Sequence, residues 1–193
     1  MSHYELELAE ASEEEEEEPM ATFEHGIICS NLNGELHNFI NGKNLGRVVD
    51  SSVEYKFLES KETEKGSEKG KVLSRYPDVS FIRQERLPKK MRSYPEIAPD
   101  LAVEVTSPSD RVFEIEAKIK EYQIAGVKLV WVIHPYSRRV DVYRLASGPK
   151  PYSYLNEDEL DGEDVIPGFK LKVSLIFDFP PEEGIEVVAR TVE

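Results

Sequence analysis

Hydrophobic residues begin to recur with a helical period just after Pro19. Phe23, Ile27, Ile28, Leu32, Leu36, Phe39 and Ile40 fall at helical spacing, Thr22 stands where a cap is wanted, and Asn41-Gly42 follows as a stop. From Gly46 the period changes to two. Val49, Val53, Tyr55 and Phe57 alternate with Asp50, Ser52, Glu54 and Lys56, which predicts one long strand with a single wet face. The charged stretch at 59–70 predicts a loop. Residues 78–82 and 100–105 are short strand-like runs, each preceded by a proline that favours extended backbone, and they are expected to lie side by side. Ser107, Pro108, Ser109 and Asp110 then offer helix-capping chemistry. Val112, Ile115, Ile119 and Tyr122 follow at spacings of three, four and three, and Gly126 closes the helix. The run 129–133 is apolar without alternation, as in a central strand covered on both faces, and 139–144 returns after a turn containing Pro135. Pro167-Gly168 precedes a further strand-like run at 169–177. Helix, strands, helix, strands is the order of a mixed α/β protein.

At 193 residues one sizeable core is the natural division, since two independent domains would both be small. The expected domain spans 20–178, between an acidic segment at 1–19, read as a solvated disordered tail, and a C-terminal tail at 179–193. The formal charge of -14 argues against nucleic acid until its distribution is considered. Residues 1–19 hold nine Glu and no Lys or Arg, and 156–193 hold eleven acids and three bases. The body at 20–155 is left with eighteen acids, twenty-one bases and net +3. An alternative to the solvated tail is a DNA mimic lying over a basic cleft; neither reading makes the tail catalytic. The longest apolar run, near Val127 to Ile133, is far below the roughly 18 residues that cross a bilayer, so no membrane association is expected. The one cysteine, Cys29, can form neither an internal disulfide nor a cysteine-ligated metal cluster by itself, which suits a reducing cytoplasm.

Period two also sorts the acidic residues. In the run 100–106, Leu101, Val103 and Val105 take one face, and Asp100, Ala102, Glu104 and Thr106 the other. In the run from Asp78, Val79 and Phe81 oppose Asp78 and Ser80. Antiparallel pairing of the two runs would bring Asp78 beside Glu104. Asp100 would sit roughly 13 Å from Glu104, at about 3.3 Å per residue. Two converging carboxylates supply hard oxygen ligands of the kind that Mg²⁺ or Mn²⁺ prefers. Lys118, flanking the Ile115, Ile119 and Tyr122 stripe, is placed to add a fixed positive charge, whereas Lys120 lies further round the helix. Because Lys118 only borders the stripe, its removal is expected to cost about 1 kcal/mol or less. Plainer readings stand beside these: Asp78 as a turn residue after Pro77, and Glu114 with Lys118 or Glu116 with Lys120 as pairs on a wet helix face.

Read in order, Pro77-Asp78-Val79, the run from Pro99 to Ser109, Lys118 with Tyr122 and Gly126, and Trp131-Val132-Ile133 resemble the Uma-two family of predicted restriction endonucleases, in the PD-(D/E)XK superfamily. The similarity extends from about Glu24-His25-Gly26 to Pro167-Gly168-Phe169. The resemblance implies a restriction-endonuclease-like core, a mixed β-sheet flanked by helices, and metal-dependent hydrolysis of DNA. Asp78 matches the first acid of the motif and Glu104 the second. Thr106 departs from the pattern, which places lysine there, and the resemblance implies that Lys118 supplies that charge from the following helix. Asp100 belongs to the same pattern in a supporting part, such as capping a turn or holding the start of the strand. His25 also matches, either as a hydrogen-bonded structural residue or as a metal ligand or base. Trp131 and Tyr122 are expected in the core, and Arg138 and Arg139 either on phosphate or in a surface turn. A homodimer, common in nuclease folds, is the expected assembly. The second expectation is a catalytically silent nuclease fold that binds nucleic acid or a protein partner, motivated by Thr106 and the acidic tails.

Overall fold

The computed structural model describes residues 21–58, 72–107, 110–148 and 150–179. The acidic segment 1–19, the charged stretch 59–70, Pro108 with Ser109, and the C-terminal tail beyond 179 lie outside the described residues.

Helix α1 spans Phe23–Ile40, and the Thr22 hydroxyl accepts from the His25 backbone N–H at 3.2 Å, as a cap should. Its buried stripe is Ile28, Leu32, Leu36 and Ile40. Phe23 is 87% exposed, so the stripe begins a turn later than the sequence pattern implies. Asn41 caps the other end, and Gly42 follows with φ +74°, a left-handed conformation that glycine adopts at little cost.

The long strand expected from Gly46 is two strands. β1 (Gly46–Asp50) stops where the Asp50 carboxylate accepts from the Ser52 backbone N–H at 3.0 Å, and the chain turns before β2 (Tyr55–Leu58). This is an aspartate bonding its own backbone two residues on, a local turn that competes with strand continuation. β2 then pairs with β3 (Val72–Arg75) in a sheet of their own, away from β1.

The main sheet has the order β1, β4 (Val79–Arg83), β5 (Leu101–Val105), β6 (Leu129–His134), β7 (Arg139–Arg144), β8 (Pro151–Tyr154). All its pairings are antiparallel except β5 with β6, which are parallel and joined through helix α2 (Val112–Ile124). β4 and β5 are neighbours in antiparallel register, with Val79 opposite Val103 and Phe81 opposite Leu101. α2 starts later than the capping residues suggest. The Asp110 carboxylate turns back to accept from the Ser107 N–H at 2.5 Å, and the Arg111 N–H is capped by Glu114 at 3.2 Å. The run 169–177 is also divided, into β10 (Lys170–Lys172), paired with β9 (Glu159–Asp161), and a single turn α3 (Val173–Ile176). Val173, Ile176 and Phe177 recur at helical spacing and are all buried, which selects the turn over a longer strand.

α1 and α3 pack on one face of the sheet, against Val79, Phe81, Leu101, Val103, Val105 and Trp131. Ile119 and Tyr122 of α2, with Tyr55, Phe57 and Leu73, cover the opposite face over Ala102, Val130 and Val132. The protein is thus a mixed α/β fold with a six-stranded sheet between helices.

Candidate active site

Continuing the antiparallel register by one residue places Asp78, just before β4, opposite Glu104 near the end of β5. Glu104 is buried and turned toward α2. Its Oε2 accepts from Lys118 Nζ at 2.8 Å and its Oε1 from the Tyr122 hydroxyl at 2.5 Å. Lys118 and Tyr122 are four residues apart on α2, and that spacing delivers an ammonium and a phenol to one carboxylate. Burial pushes the Glu104 carboxyl above the usual range, Lys118 and Tyr122 work against it, and the Asp78 charge adds to the rise. Burial lowers the Lys118 ammonium pKa, but the Glu104 carboxylate outweighs it and the net shift is upward. The Tyr122 hydroxyl is held well above 10 by burial and by Glu104, so it acts as a donor.

Asp78 is fixed from the other side. Its Oδ2 accepts the Val105 backbone N–H at 2.7 Å, and its Oδ1 lies 3.3 Å from His25 Nε2 in the first turn of α1. The His25 pKa is raised to about 10 by the hydrogen bond to Asp78 and next by the Cys29 thiol, against burial. Cys29 Sγ is 3.6 Å from His25 Nδ1. One residue into the strand, the buried Ser80 hydroxyl shares a 2.7 Å hydrogen bond with Tyr55, and an ion pair from Arg75 to Glu121 fastens β3 to α2.

The structure therefore gathers Asp78, Glu104, Lys118 and His25 at one end of the sheet. Asp100 stands apart, at the other end of β5. It is fully buried, its carboxylate takes the Arg83 N–H at 3.0 Å and the Arg86 guanidinium at 2.7 Å, and its backbone carbonyl accepts from Leu129 at 3.2 Å. Arg138 adopts a left-handed φ of 45° in its turn with its guanidinium over the Phe179 ring, and Arg139 is paired with Asp141 at 3.0 Å. Trp131 is fully buried.

Two features escaped the sequence reading. Tyr122 reads as packing because it closes an apolar stripe, yet its hydroxyl touches the site; its place four residues beyond Lys118 was the available signal. The second feature lies at Thr106, whose hydroxyl is 3.5 Å from His134 Nδ1, while His134 Nε2 lies 3.0 Å from Asp141 Oδ2. Burial depresses the His134 pKa against the pull of Asp141. Parallel pairing of β5 and β6 makes Thr106 and His134 neighbours.

As a donor set, Asp78 and Glu104 fit a hard divalent cation. Both offer carboxylate oxygen, and the Asp78 charge raises the Glu104 pKa, a conflict that a cation held by the two would relieve.

The sequence model of the Uma2 family, described as "Putative restriction endonuclease", matches residues 3–174. Among solved structures, the chain is similar to "a putative nuclease belonging to DUF820 from Anabaena variabilis ATCC 29413". The two are 20% identical with a TM-score of 0.65, over 83% of this chain and 84% of that one, a likeness of fold. No curated protein matches.

Proposed function

The chain belongs to the Uma2 family, and from that premise we propose that it is a metal-dependent endonuclease hydrolysing DNA phosphodiester bonds, with Asp78 and Glu104 as ligands of Mg²⁺ or Mn²⁺. The observation that supports this reading most directly is the 2.8 Å contact of Lys118 with Glu104, on a carboxylate already within the field of Asp78. Such a cation, when bound, supplies a more acidic water and polarises a phosphoryl oxygen. The chain's own residues do the rest. Lys118 keeps a positive charge where negative charge develops on phosphate. Tyr122 fixes one oxygen of Glu104, and the Val105 N–H and His25 fix Asp78. Asp100, through Arg83 and Arg86, holds the start of β5, so its part is to support the strand that carries Glu104. DNA would meet the body at 20–155, whose net charge is +3. A homodimer and a cytoplasmic setting, which the single cysteine suits, complete the reading.

A second reading, a silent nuclease fold that binds nucleic acid or protein, is favoured by Thr106 standing in the motif-lysine position and by both Glu104 oxygens being already engaged. Calorimetry with Mn²⁺ separates the two. The endonuclease reading predicts weak binding, since two carboxylates leave most of the coordination shell to water and substrate, and its loss in Glu104→Gln. Identical titrations for parent and variant would remove the metal pair.

A further inference from the structure

Cys29 is the only cysteine of the chain and follows His25 by four residues on α1. That spacing sets both side chains on one helix face, as in helical metal-chelating pairs. Asp78 arrives at the same spot from a different element. A His25 ring nitrogen, Cys29 Sγ and an Asp78 carboxylate oxygen all lie within 4.8 Å of one another. None of the three is exposed, so the cluster is not a chance meeting of long surface side chains.

The separations suit one small ion. With zinc bonds of about 2.3 Å to sulfur and about 2.05 Å to nitrogen at a tetrahedral angle, the two ligand atoms stand about 3.6 Å apart. His25 Nδ1 and Cys29 Sγ are 3.6 Å apart. Asp78 Oδ1 faces the other ring nitrogen, Nε2, at 3.3 Å, so the imidazole would have to turn to offer one nitrogen to both partners, and it starts from ligand atoms that already lie within 4.8 Å of one another. The donors also choose the metal. Thiolate and imidazole favour borderline-soft cations, whereas magnesium asks for an octahedron of oxygens.

We propose that His25, Cys29 and Asp78 form a binding site for a divalent cation of the zinc class, with a fourth position open to water. The site stands on this cluster alone and does not depend on the endonuclease reading. If that reading also holds, the two metals compete for Asp78. Zinc is then an inhibitor of magnesium-dependent cleavage, and Cys29→Ser relieves the inhibition while leaving unliganded activity in place.

The test is a titration of the full-length, metal-free chain with Co²⁺, followed optically. With one thiol in the chain, a cobalt–thiolate charge-transfer band reports Cys29 and nothing else. The expected result is a band saturating at one Co²⁺ per chain, bleached by Zn²⁺ and absent in Cys29→Ser. His25→Ala and Asp78→Asn should each weaken Co²⁺ binding at least tenfold, and Glu104→Gln should leave the band in place. A parent chain without the band overturns the proposal. So does a band with the same midpoint in His25→Ala and Asp78→Asn, because it would belong to a lone thiol, or one that disappears in Glu104→Gln. Loss of DNA cleavage would count only against the endonuclease reading, since the band is read without any substrate.

Discussion

Glu104 is a carboxylate that the fold removes from water and then supplies with two donors. Removing Lys118 leaves it with Tyr122 alone and removes the charge that works against burial, so its pKa should climb further. The contact also revises the expected cost of Lys118→Ala upward from about 1 kcal/mol. Loss of one partner of a fully buried pair costs about 3–5 kcal/mol, but Lys118 keeps 40% side-chain exposure, and about 1–3 kcal/mol is predicted from urea unfolding at pH 7. His25 gives a pH signature. Its folded pKa of about 10 lies above the ordinary 6.5, so protonated His25 stabilises the fold fully below pH 6.5, and that contribution disappears as pH rises toward 10. The unfolding free energy measured with urea should fall over that window by on the order of 2 kcal/mol after allowance for solvent, and Asp78→Asn should flatten the fall. An unchanged slope would mean that the pair contributes nothing. At this scale the sequence was half legible. Period two was enough to set Asp78 opposite Glu104, because alternation and antiparallel pairing leave little freedom. The Val105 N–H on Asp78 was not, since every residue has such a donor and only register selects one. Nor was His134, which meets Thr106 only because β5 and β6 run parallel.

At the scale of elements, local chemistry corrected the periodic patterns twice. Alternation ran from Val49 to Phe57 with a single polar break at Ser51, and there the Asp50 side chain captured the Ser52 N–H and divided it, sending β2 over to α2 instead of extending the main sheet. In 169–177, burial of Val173, Ile176 and Phe177 outweighed a strand-like composition. Asp50→Ala should therefore loosen the turn at a cost of about 0.5–1.5 kcal/mol. Thr22 carries more functional weight because its cap orders the turn that presents His25. Thr22→Ala is predicted to cost about 1 kcal/mol and to speed amide exchange in the first turn of α1, with the buried stripe from Ile28 unaffected. Exchange unchanged at residues 23–25 would show that the cap does not hold that turn.

For the whole molecule, the order of elements and the apolar run of β6 were sufficient to anticipate a mixed α/β protein with a central strand covered on both faces, because a strand without a polar face must be covered on both sides, whereas the mixed sheet between helices was what the family resemblance implied. Charge is the other property of this scale. Nine glutamates at 1–19 beside a body of net +3 should repel DNA or compete with it, most strongly when salt is low. Deleting 1–19 should tighten DNA binding at low ionic strength and matter little at high, and equal binding at every salt concentration would reduce the segment to a solubilising extension. The proposed metal-dependent hydrolysis of DNA is addressed directly by nicking of supercoiled plasmid in Mg²⁺, with melting temperatures taken alongside. The account predicts nicking by the parent, none by Asp78→Ala or Glu104→Gln, and a rate lower by about a hundredfold in folded Lys118→Ala, the effect of removing on the order of 3 kcal/mol of transition-state stabilisation. Parental rates in both Lys118→Ala and Asp78→Ala, or a folded parent that cleaves no DNA with any divalent metal, would contradict it.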